Sequence, residues 1–256
     1  MGMATATLVT IPFSHFCEKA RWALDHAGVS YDEEGHVPGL HRIAVKRTGS
    51  PRTSVPVLVT NERVLADSTD ILGYANASAP PEKALFPAAA KARAEVEALE
   101  NELDEGLGPH IRRVLYFYLL PRRSLALTLM DQRTPRWERT AARAIFPLLR
   151  AGMRRFMRID ARTANESRDE VLRTFDAIER RLADGRPYLV GDRFTAADLT
   201  FASLAGPGVM PPEHLVKFPP IDALPEPAAD LMREIQARPV GAFLRRMYRE
   251  RRRPVD

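Results

Sequence analysis

Residues 6–28 read ATLVTIPFSHFCEKARWALDHAG, and this stretch decides the fold of the first part of the chain. Its first six residues are mostly apolar or β-branched, which favours a β-strand. From residue 17 onward, apolar side chains recur on one helical stripe until Gly28, a residue type that commonly ends helices. The stretch therefore predicts a strand that leads into a helix, with Ser14 and Cys17 near the start of that helix.

Short elements of both kinds continue to about residue 79. In chain order, we predict a strand, a helix, two strands joined by a hairpin turn and a further helix, over residues 29–37, 40–49, 54–60, 63–66 and from 67 onward. The predicted order of elements in this part is therefore β-α-β-α-β-β-α.

Beyond residue 79 the strand signals disappear. Apolar residues recur at intervals of three and four from Val96 to Tyr118, which predicts a long helix that Gly108-Pro109 should bend. Further helices are predicted over residues 136–159, 169–183, 196–205, 227–237 and 240–252. The motif FTAADL at 194–199 is a helix capping box, to which we assign a folding role. We predict a first domain over 1–80, a proline-containing linker over 81–88 and an all-helical domain over 89–256.

The composition is that of a globular protein without disulfides. Of the 256 residues, 45% are hydrophobic and only one is a cysteine, so no internal disulfide can form. The N-terminus has no basic leader, and the longest apolar run is too short for a bilayer, so we expect a cytoplasmic protein without membrane attachment. The net charge of +5 comes from arginines interleaved with acids, which indicates a solvated surface rather than a nucleic-acid site. We expect the arginine run at 245–253 to be a frayed helix end, with a phosphate-binding arm as the alternative.

Three motifs occur in a fixed order along the first part of the chain: S-x-x-C at a helix start, V-P-V-L in a strand before a hairpin, and D-S at another helix start. Together with an all-helical second part, they resemble the glutathione transferase superfamily. The resemblance covers nearly the whole chain and implies a thioredoxin-like N-terminal domain followed by a helical-bundle C-terminal domain. It also implies glutathione as co-substrate, a small electrophile as second substrate and a homodimer.

Four residues are expected to bind glutathione through the second and third motifs. Pro56 removes a ladder donor from an apolar strand, so this strand end should not pair in the ordinary way. In the family the matching proline is cis, and the residue before it, here Val55, pairs with the backbone of the bound peptide. Ser68 is predicted to cap a helix whose start suits a carboxylate. The resemblance implies that Ser68 holds the γ-glutamyl carboxylate and Asp67 the ammonium group.

The glycine carboxylate of glutathione needs a basic side chain from the second helix or the following loop. We assign Lys46 to this role. The sequence leaves four alternatives open, namely His41, Arg42, Arg47 and Arg52.

Ser14 and Cys17 are the candidate catalytic residues. Ser14 matches the catalytic position of the family; its hydroxyl is too weak an acid to ionise, so its role would be to donate a hydrogen bond to the glutathione thiolate. A helix cap without catalytic duty is the alternative. Cys17 occupies the place of the inner sulfur of dithiol glutaredoxins, which leaves open a glutathione-dependent thiol-disulfide reductase as well as plain packing. We expect His15 to be exposed.

The remaining features concern the second substrate and cofactors. Aromatic residues before and within the helical part, Phe13, Tyr116 and Tyr118, are expected to contact the electrophile. No histidine pair or glycine-rich loop suggests a metal or nucleotide cofactor. Residues 119–160 match no familiar class of the family, so the transferase class stays open. A non-catalytic binding or interaction protein with this fold is the third hypothesis.

Overall fold

The computed structural model describes residues 6–252. The chain divides into two compact units. The first contains the chain up to Ala84 together with residues 127–149, and the second contains residues 85–126 and the chain from Arg150 onward. The chain first passes from one unit to the other after Ala84, a position inside the predicted linker 81–88. The inclusion of 127–149 in the first unit differs from the predicted division, which gave everything beyond 88 to the helical domain.

A thioredoxin-like arrangement forms most of the first unit, as the resemblance implied. Its elements follow the predicted order: β1 Ala6–Thr10, α1 His15–Ala27, β2 Asp32–Gly35, α2 His41–Arg47, β3 Val57–Thr60, β4 Val64–Leu65 and α3 Ser68–Ser78. The sheet order is β2-β1-β3-β4. β1 is parallel to β2 and antiparallel to β3, and β3 is antiparallel to β4.

The two faces of this sheet bury different side chains, because successive residues of a strand point to opposite sides. Val9 and Val57 form one cluster with Val45 of α2. Leu8 and Leu58 are directly opposite each other on β1 and β3 and are fully buried. Alternation assigns this pair to the other face of the sheet. α1 and α3 pack against each other.

Residues 127–149 join the first unit through a buried carboxylate. Glu138 lies in α7 Arg136–Phe156 and is 1% exposed. One of its oxygens is 2.6 Å from Nδ1 of His36, and the other accepts a hydrogen bond of 2.7 Å from the backbone N–H of Val37. A second contact brings the backbone of Arg133 close to that of Gly35. A Cβ atom at residue 35 would collide with the carbonyl oxygen of Arg133, so glycine is needed there.

The second unit is helical. Its helices, with the two that cross between units, are α4 Ala90–Glu102, α5 Gly108–Leu119, α6 Arg123–Met130, α7, α8 Ala161–Leu182, α9 Ala196–Val209, α10 Glu226–Ala237 and α11 Pro239–Arg251. A π-helical segment, Leu103–Leu107, separates α4 from α5, so the long helix is interrupted just before the predicted Gly108-Pro109. α6 was not predicted, and α8 begins earlier than predicted because Asp160 caps it. Among the described residues, no helix is long and apolar enough to cross a membrane.

The capping box at the start of α9 is confirmed and is buried. Asp198 accepts hydrogen bonds from the backbone N–H of Leu189 at 2.7 Å, from the N–H of Thr195 at 2.9 Å and from the Thr195 hydroxyl at 2.8 Å. Burial raises the pKa of Asp198 to about 6, against the opposing effect of these three donors. The carboxylate therefore ties the loop before α9 to the helix start.

We expect Asp198→Ala to lower the free energy of unfolding by about 3 kcal/mol, because it leaves two buried N–H groups without acceptors. Urea unfolding followed by circular dichroism measures the change. Asp192→Ala is the matched control, since Asp192 is exposed and should change stability by no more than about 0.5 kcal/mol. Equal losses in the two variants would contradict the folding role of the capping box.

The arginine run at the C-terminus is docked as far as Arg251, so the expectation of a frayed end was wrong for the part that the structure describes. The Arg251 guanidinium donates to the Tyr188 hydroxyl and lies 5.4 Å from the centre of that ring. Arg246 lies 5.5 Å from the same ring, and Arg245 donates to the Gln236 carbonyl at 3.0 Å. Residues 253–256 lie outside the described residues.

Candidate functional site

Ser14 lies in the turn between β1 and α1. Its N–H donates to the Ile11 carbonyl at 2.9 Å, and its own carbonyl accepts from the N–H of Glu18 at 2.9 Å. The residue is the N-cap of α1 by its extended backbone, yet its hydroxyl makes no capping hydrogen bond to the helix. The side chain is half-buried. The hydroxyl thus lies at the positive end of a helix dipole and is not used to satisfy the helix backbone.

Cys17 is fully buried on the inner side of α1. Burial raises the pKa of its thiol to about 11, although the charge of Arg21, the backbone of Ile11 and the Ser14 hydroxyl all act to lower it. The thiol is therefore protonated near neutral pH and out of reach of a disulfide substrate. Both properties weigh against Cys17 as a nucleophile.

His15 was expected to be exposed, and this was wrong. It is 4% exposed, and its ring centre lies 4.5 Å from that of Phe16. The histidine begins α1, so the first turn of this helix packs against the protein instead of facing solvent.

A buried charge network underlies the turn that carries Ser14. Arg21 is fully buried; it pairs with Glu18 one turn earlier in α1 and with Glu33 of β2, at 2.8 Å. It also donates to the Pro12 carbonyl at 2.6 Å. Thr10 donates to the same Glu33 oxygen at 2.6 Å. Burial acts to lower the pKa of Arg21, but the carboxylates of Glu33 and Glu18 outweigh it and raise the pKa. The guanidinium is therefore a permanent cation, and it fixes the backbone two residues before Ser14.

The Val55-Pro56 peptide bond is cis, which confirms the expectation from the resemblance. β3 begins only at Val57, so Val55 lies outside the ladder. Among residues 6–252, no hydrogen bond engages the backbone N–H or C=O of Val55. Its side chain packs against the cluster of Val9, Val45 and Val57. The side chain is therefore anchored while the backbone polar groups have no partner within the described chain.

α3 presents the third motif, with one correction. Asp67, not Ser68, is the N-cap: its Oδ1 accepts from the N–H of Thr69 at 3.0 Å. Ser68 is the first residue of the helix and is buried. The other oxygen of Asp67 pairs with Arg52 at 2.5 Å, in an ion pair whose side chains are 60% and 37% exposed. An exposed pair of this kind contributes only about 0–1 kcal/mol, so a ligand can readily replace Arg52.

A buried lysine lies under the same helix start. Nζ of Lys19 donates to the Thr69 hydroxyl at 3.2 Å, and Lys19 is fully buried. The ammonium group adds positive charge to the positive end of the α3 dipole. A carboxylate bound at this helix start would be attracted by the helix dipole and by the charge of the Lys19 ammonium group. Sequence reasoning missed Lys19 and Arg21, because charged residues in a helix are usually solvated.

The candidates for the glycine carboxylate differ in charge and pairing. Burial, followed by the charge of Arg42, lowers the pKa of His41 to about 4, so His41 is neutral near pH 7. Arg52 is engaged by Asp67. Lys46, Arg42 and Arg47 are exposed and have no ion-pair partner among the described residues. Lys46 stays a prediction, with the two arginines as equal alternatives.

The aromatic residues assigned to the electrophile lie in different units. Phe13, in the turn before Ser14, is 8% exposed and belongs to the first unit. Tyr116 and Tyr118 lie in α5 of the second unit, Tyr116 buried at 8% exposure and Tyr118 half-buried. Their contact with a substrate stays a prediction. Within residues 6–252, no group of three or more His, Cys, Asp or Glu side chains could hold a metal ion.

Comparison with known proteins identifies the family of two parts of the chain. Residues 8–83 match the family model of the glutathione S-transferase N-terminal domain, and residues 131–206 match that of the C-terminal domain. No curated protein matches the sequence.

Solved structures share the fold at low sequence identity. The beta-etherase LigF from Sphingobium sp. strain SYK-6 is 20% identical, with a TM-score of 0.61 over 94% of this chain and 99% of that one. A glutathione S-transferase from Sinorhizobium meliloti is 20% identical, with a TM-score of 0.59 over 98% and 95%. A theta class glutathione S-transferase from Xanthomonas axonopodis pv. citri, solved with glutathione bound, is 22% identical, with a TM-score of 0.58 over 93% and 95%. With both domain models matched in order, the chain belongs to the glutathione S-transferase superfamily.

Proposed function

We propose that the protein is a glutathione transferase in which the Ser14 hydroxyl donates a hydrogen bond to the thiolate of bound glutathione. The thiolate would then attack a small electrophile. The observation that carries this proposal is the half-buried Ser14, whose hydroxyl is not used to cap α1. The family match supports the coarser assignment to glutathione transferase-type chemistry.

The energies involved are of the right size. A free thiol has a pKa of about 8.5, and to make it mostly thiolate at pH 7 requires a shift of about 2 units, or about 2.7 kcal/mol. A hydrogen bond to a charged acceptor contributes about 1.5–3 kcal/mol, and a helix N-terminus about 0.3–1 kcal/mol.

Glutathione would bind to polar groups of the first unit that could form hydrogen bonds or ion pairs with it. The free backbone groups of Val55 suit the backbone of an extended peptide next to Pro56. Asp67 would exchange Arg52 for the γ-glutamyl ammonium. Ser68 and the helix start above Lys19 would accept the γ-glutamyl carboxylate. Lys46 remains our assignment for the glycine carboxylate, and by resemblance we expect a cytoplasmic homodimer.

We expect Asp67→Asn to weaken glutathione binding by about 10- to 150-fold, because it removes the charge that holds the ammonium group. Asparagine caps helices as well as aspartate does, so α3 should keep its stability. Isothermal titration calorimetry with reduced glutathione measures the affinity, and the unfolding midpoint checks the fold.

Asp70→Asn is the matched control, since Asp70 is an exposed acid in the first turn of the same helix. It should leave the affinity within about twofold of the wild type. If the two variants bind glutathione equally well, the assigned role of Asp67 is wrong. If the wild type binds no glutathione at millimolar concentration, the transferase proposal fails and a non-catalytic role is favoured.

A further inference from the structure

The end of α7 and the start of α8 form an arginine-rich segment of the second unit. Residues 150–162 contain five arginines and a single acid, Asp160. Two adjoining depressions open here. The first has a volume of about 600 Å³ and is lined by Ala151, Arg154, Arg155, Arg158, Ile159, Asp160, Arg162 and Thr163. The second has a volume of about 570 Å³ and is lined by Gly152, Arg155, Phe156 and Arg158. We refer to the two together as the arginine groove.

The backbone of Arg158 is held in an unusual conformation at the centre of the groove. After α7 ends, the N–H of Arg158 donates to the Arg155 carbonyl at 3.3 Å, and the N–H of Ile159 donates to the Arg154 carbonyl at 2.8 Å. These two bonds form a Schellman motif, which places Arg158 at the left-handed position with φ of 52°. Glycine is the usual residue there, because a side chain is disfavoured in this region. The chain carries an arginine instead.

Further hydrogen bonds fix the loop between α7 and α8. The Thr163 hydroxyl donates to the Arg158 carbonyl at 2.6 Å, and the N–H of Thr163 donates to Asp160 at 2.9 Å. Arg113 donates to the Met157 carbonyl at 3.1 Å. The start of α8 is thus already capped by its own Asp160, and these bonds fix the backbone that carries Arg158.

The charges of the groove are only partly neutralised. Arg162 pairs with Glu166 at 2.6 Å, and Arg154 donates to the Ile159 carbonyl at 3.3 Å. Arg155 and Arg158 are exposed, and neither has an acidic partner in the part of the chain that the structure describes. Hydrogen bonding to Thr163 and the charge of Arg162 lower the pKa of Asp160, so its carboxylate stays ionised and leaves a net positive groove.

We propose that the arginine groove binds a ligand that carries phosphate groups. A guanidinium group can donate two parallel hydrogen bonds to the oxygens of one phosphate. It also keeps its positive charge at all physiological pH values. Phe156, 82% exposed beside Arg155 and Arg158, offers a flat apolar surface for the organic part of such a ligand. The groove shares no residue with the proposed glutathione site: its residues belong to the second unit, and those assigned to glutathione belong to the first.

The test uses the full chain and inorganic pyrophosphate in isothermal titration calorimetry. We expect binding that weakens about tenfold or more in Arg158→Gly and in Arg155→Ala. Because glycine suits the left-handed position, Arg158→Gly should keep or raise the unfolding midpoint, so a loss of binding cannot be attributed to misfolding. Arg180→Ala is the matched control on α8, since Arg180 is exposed and distant along the helix, and it should bind like the wild type.

A parallel arm distinguishes free phosphates from lipid headgroups. Vesicles of phosphatidylglycerol are compared with vesicles of phosphatidylcholine in a sedimentation assay. Binding to phosphatidylglycerol vesicles alone, lost in Arg158→Gly, would place the phosphate on a lipid, and binding to pyrophosphate alone would indicate a soluble phosphate ester. The proposal is overturned if the wild type binds neither probe, or if Arg158→Gly and Arg180→Ala bind like the wild type.

Discussion

Arg21→Met should lower the free energy of unfolding by about 3–5 kcal/mol, the largest stability loss that we expect from one substitution in the first unit. The change leaves the buried carboxylate of Glu18 and the nearly buried carboxylate of Glu33 without their cation. It also removes the donor to the Pro12 carbonyl. Urea unfolding and the thermal midpoint measure the loss.

Arg42→Met is the control for this substitution, because Arg42 is exposed on α2 and has no ion-pair partner among the described residues. It should change stability by no more than about 0.5 kcal/mol. A second test uses Glu18→Gln in the Arg21→Met background, where the loss should be smaller than the sum of the two single losses. If Arg21→Met unfolds like Arg42→Met, the buried network does not stabilise the turn.

Ser14→Ala should raise the pKa of the bound glutathione thiol by about 1–2 units, since the thiolate loses one charge-assisted hydrogen bond. At a pH below the raised pKa, the thiolate fraction falls, so we expect kcat/KM with a chloronitrobenzene electrophile to fall by about 10- to 100-fold. The deficit should shrink as the pH rises through the new pKa. The thiolate absorbance of bound glutathione, titrated against pH, measures the shift directly.

Two further variants separate catalysis from structure. Ser14→Ala should unfold close to the wild type, because the Ser14 hydroxyl makes no capping bond to α1. Cys17→Ser should keep conjugation activity under our proposal, whereas a reductase that uses Cys17 would lose turnover of mixed disulfides. An unshifted thiol pKa in Ser14→Ala would refute the role of this hydroxyl.

The order of elements in the first unit could be predicted because each one has a local signal. The strand of residues 6–10 shows β-branched residues, and α1 shows an apolar stripe that ends at Gly28, whose φ is 75°. The error at α3 was a shift of one residue: Asp67 and Ser68 are both good caps, and only the hydrogen bond from Thr69 distinguishes them.

Only part of the candidate site could be predicted from the sequence. Ser14, Pro56 and Asp67 fall in recognisable motifs, whereas Lys19 and Arg21 lie in a run of charged residues that is typical of a solvated helix face. Their burial depends on Thr69 and Glu33, which are 50 and 12 residues away along the chain. Pairing over such distances leaves no periodic pattern, so tertiary structure alone identifies these two cations.

The carboxylate of Glu138 has a consequence for how this protein can be divided. Its partners, His36 and Val37, lie about a hundred positions earlier in the chain. A fragment that stops at residue 84 would lose both contacts and would uncover the surface beneath residues 127–149. A hybrid protein that joins the first 84 residues of this chain to the helices of a relative should therefore fold poorly. It should fold better if it also contains residues 127–149 of this chain.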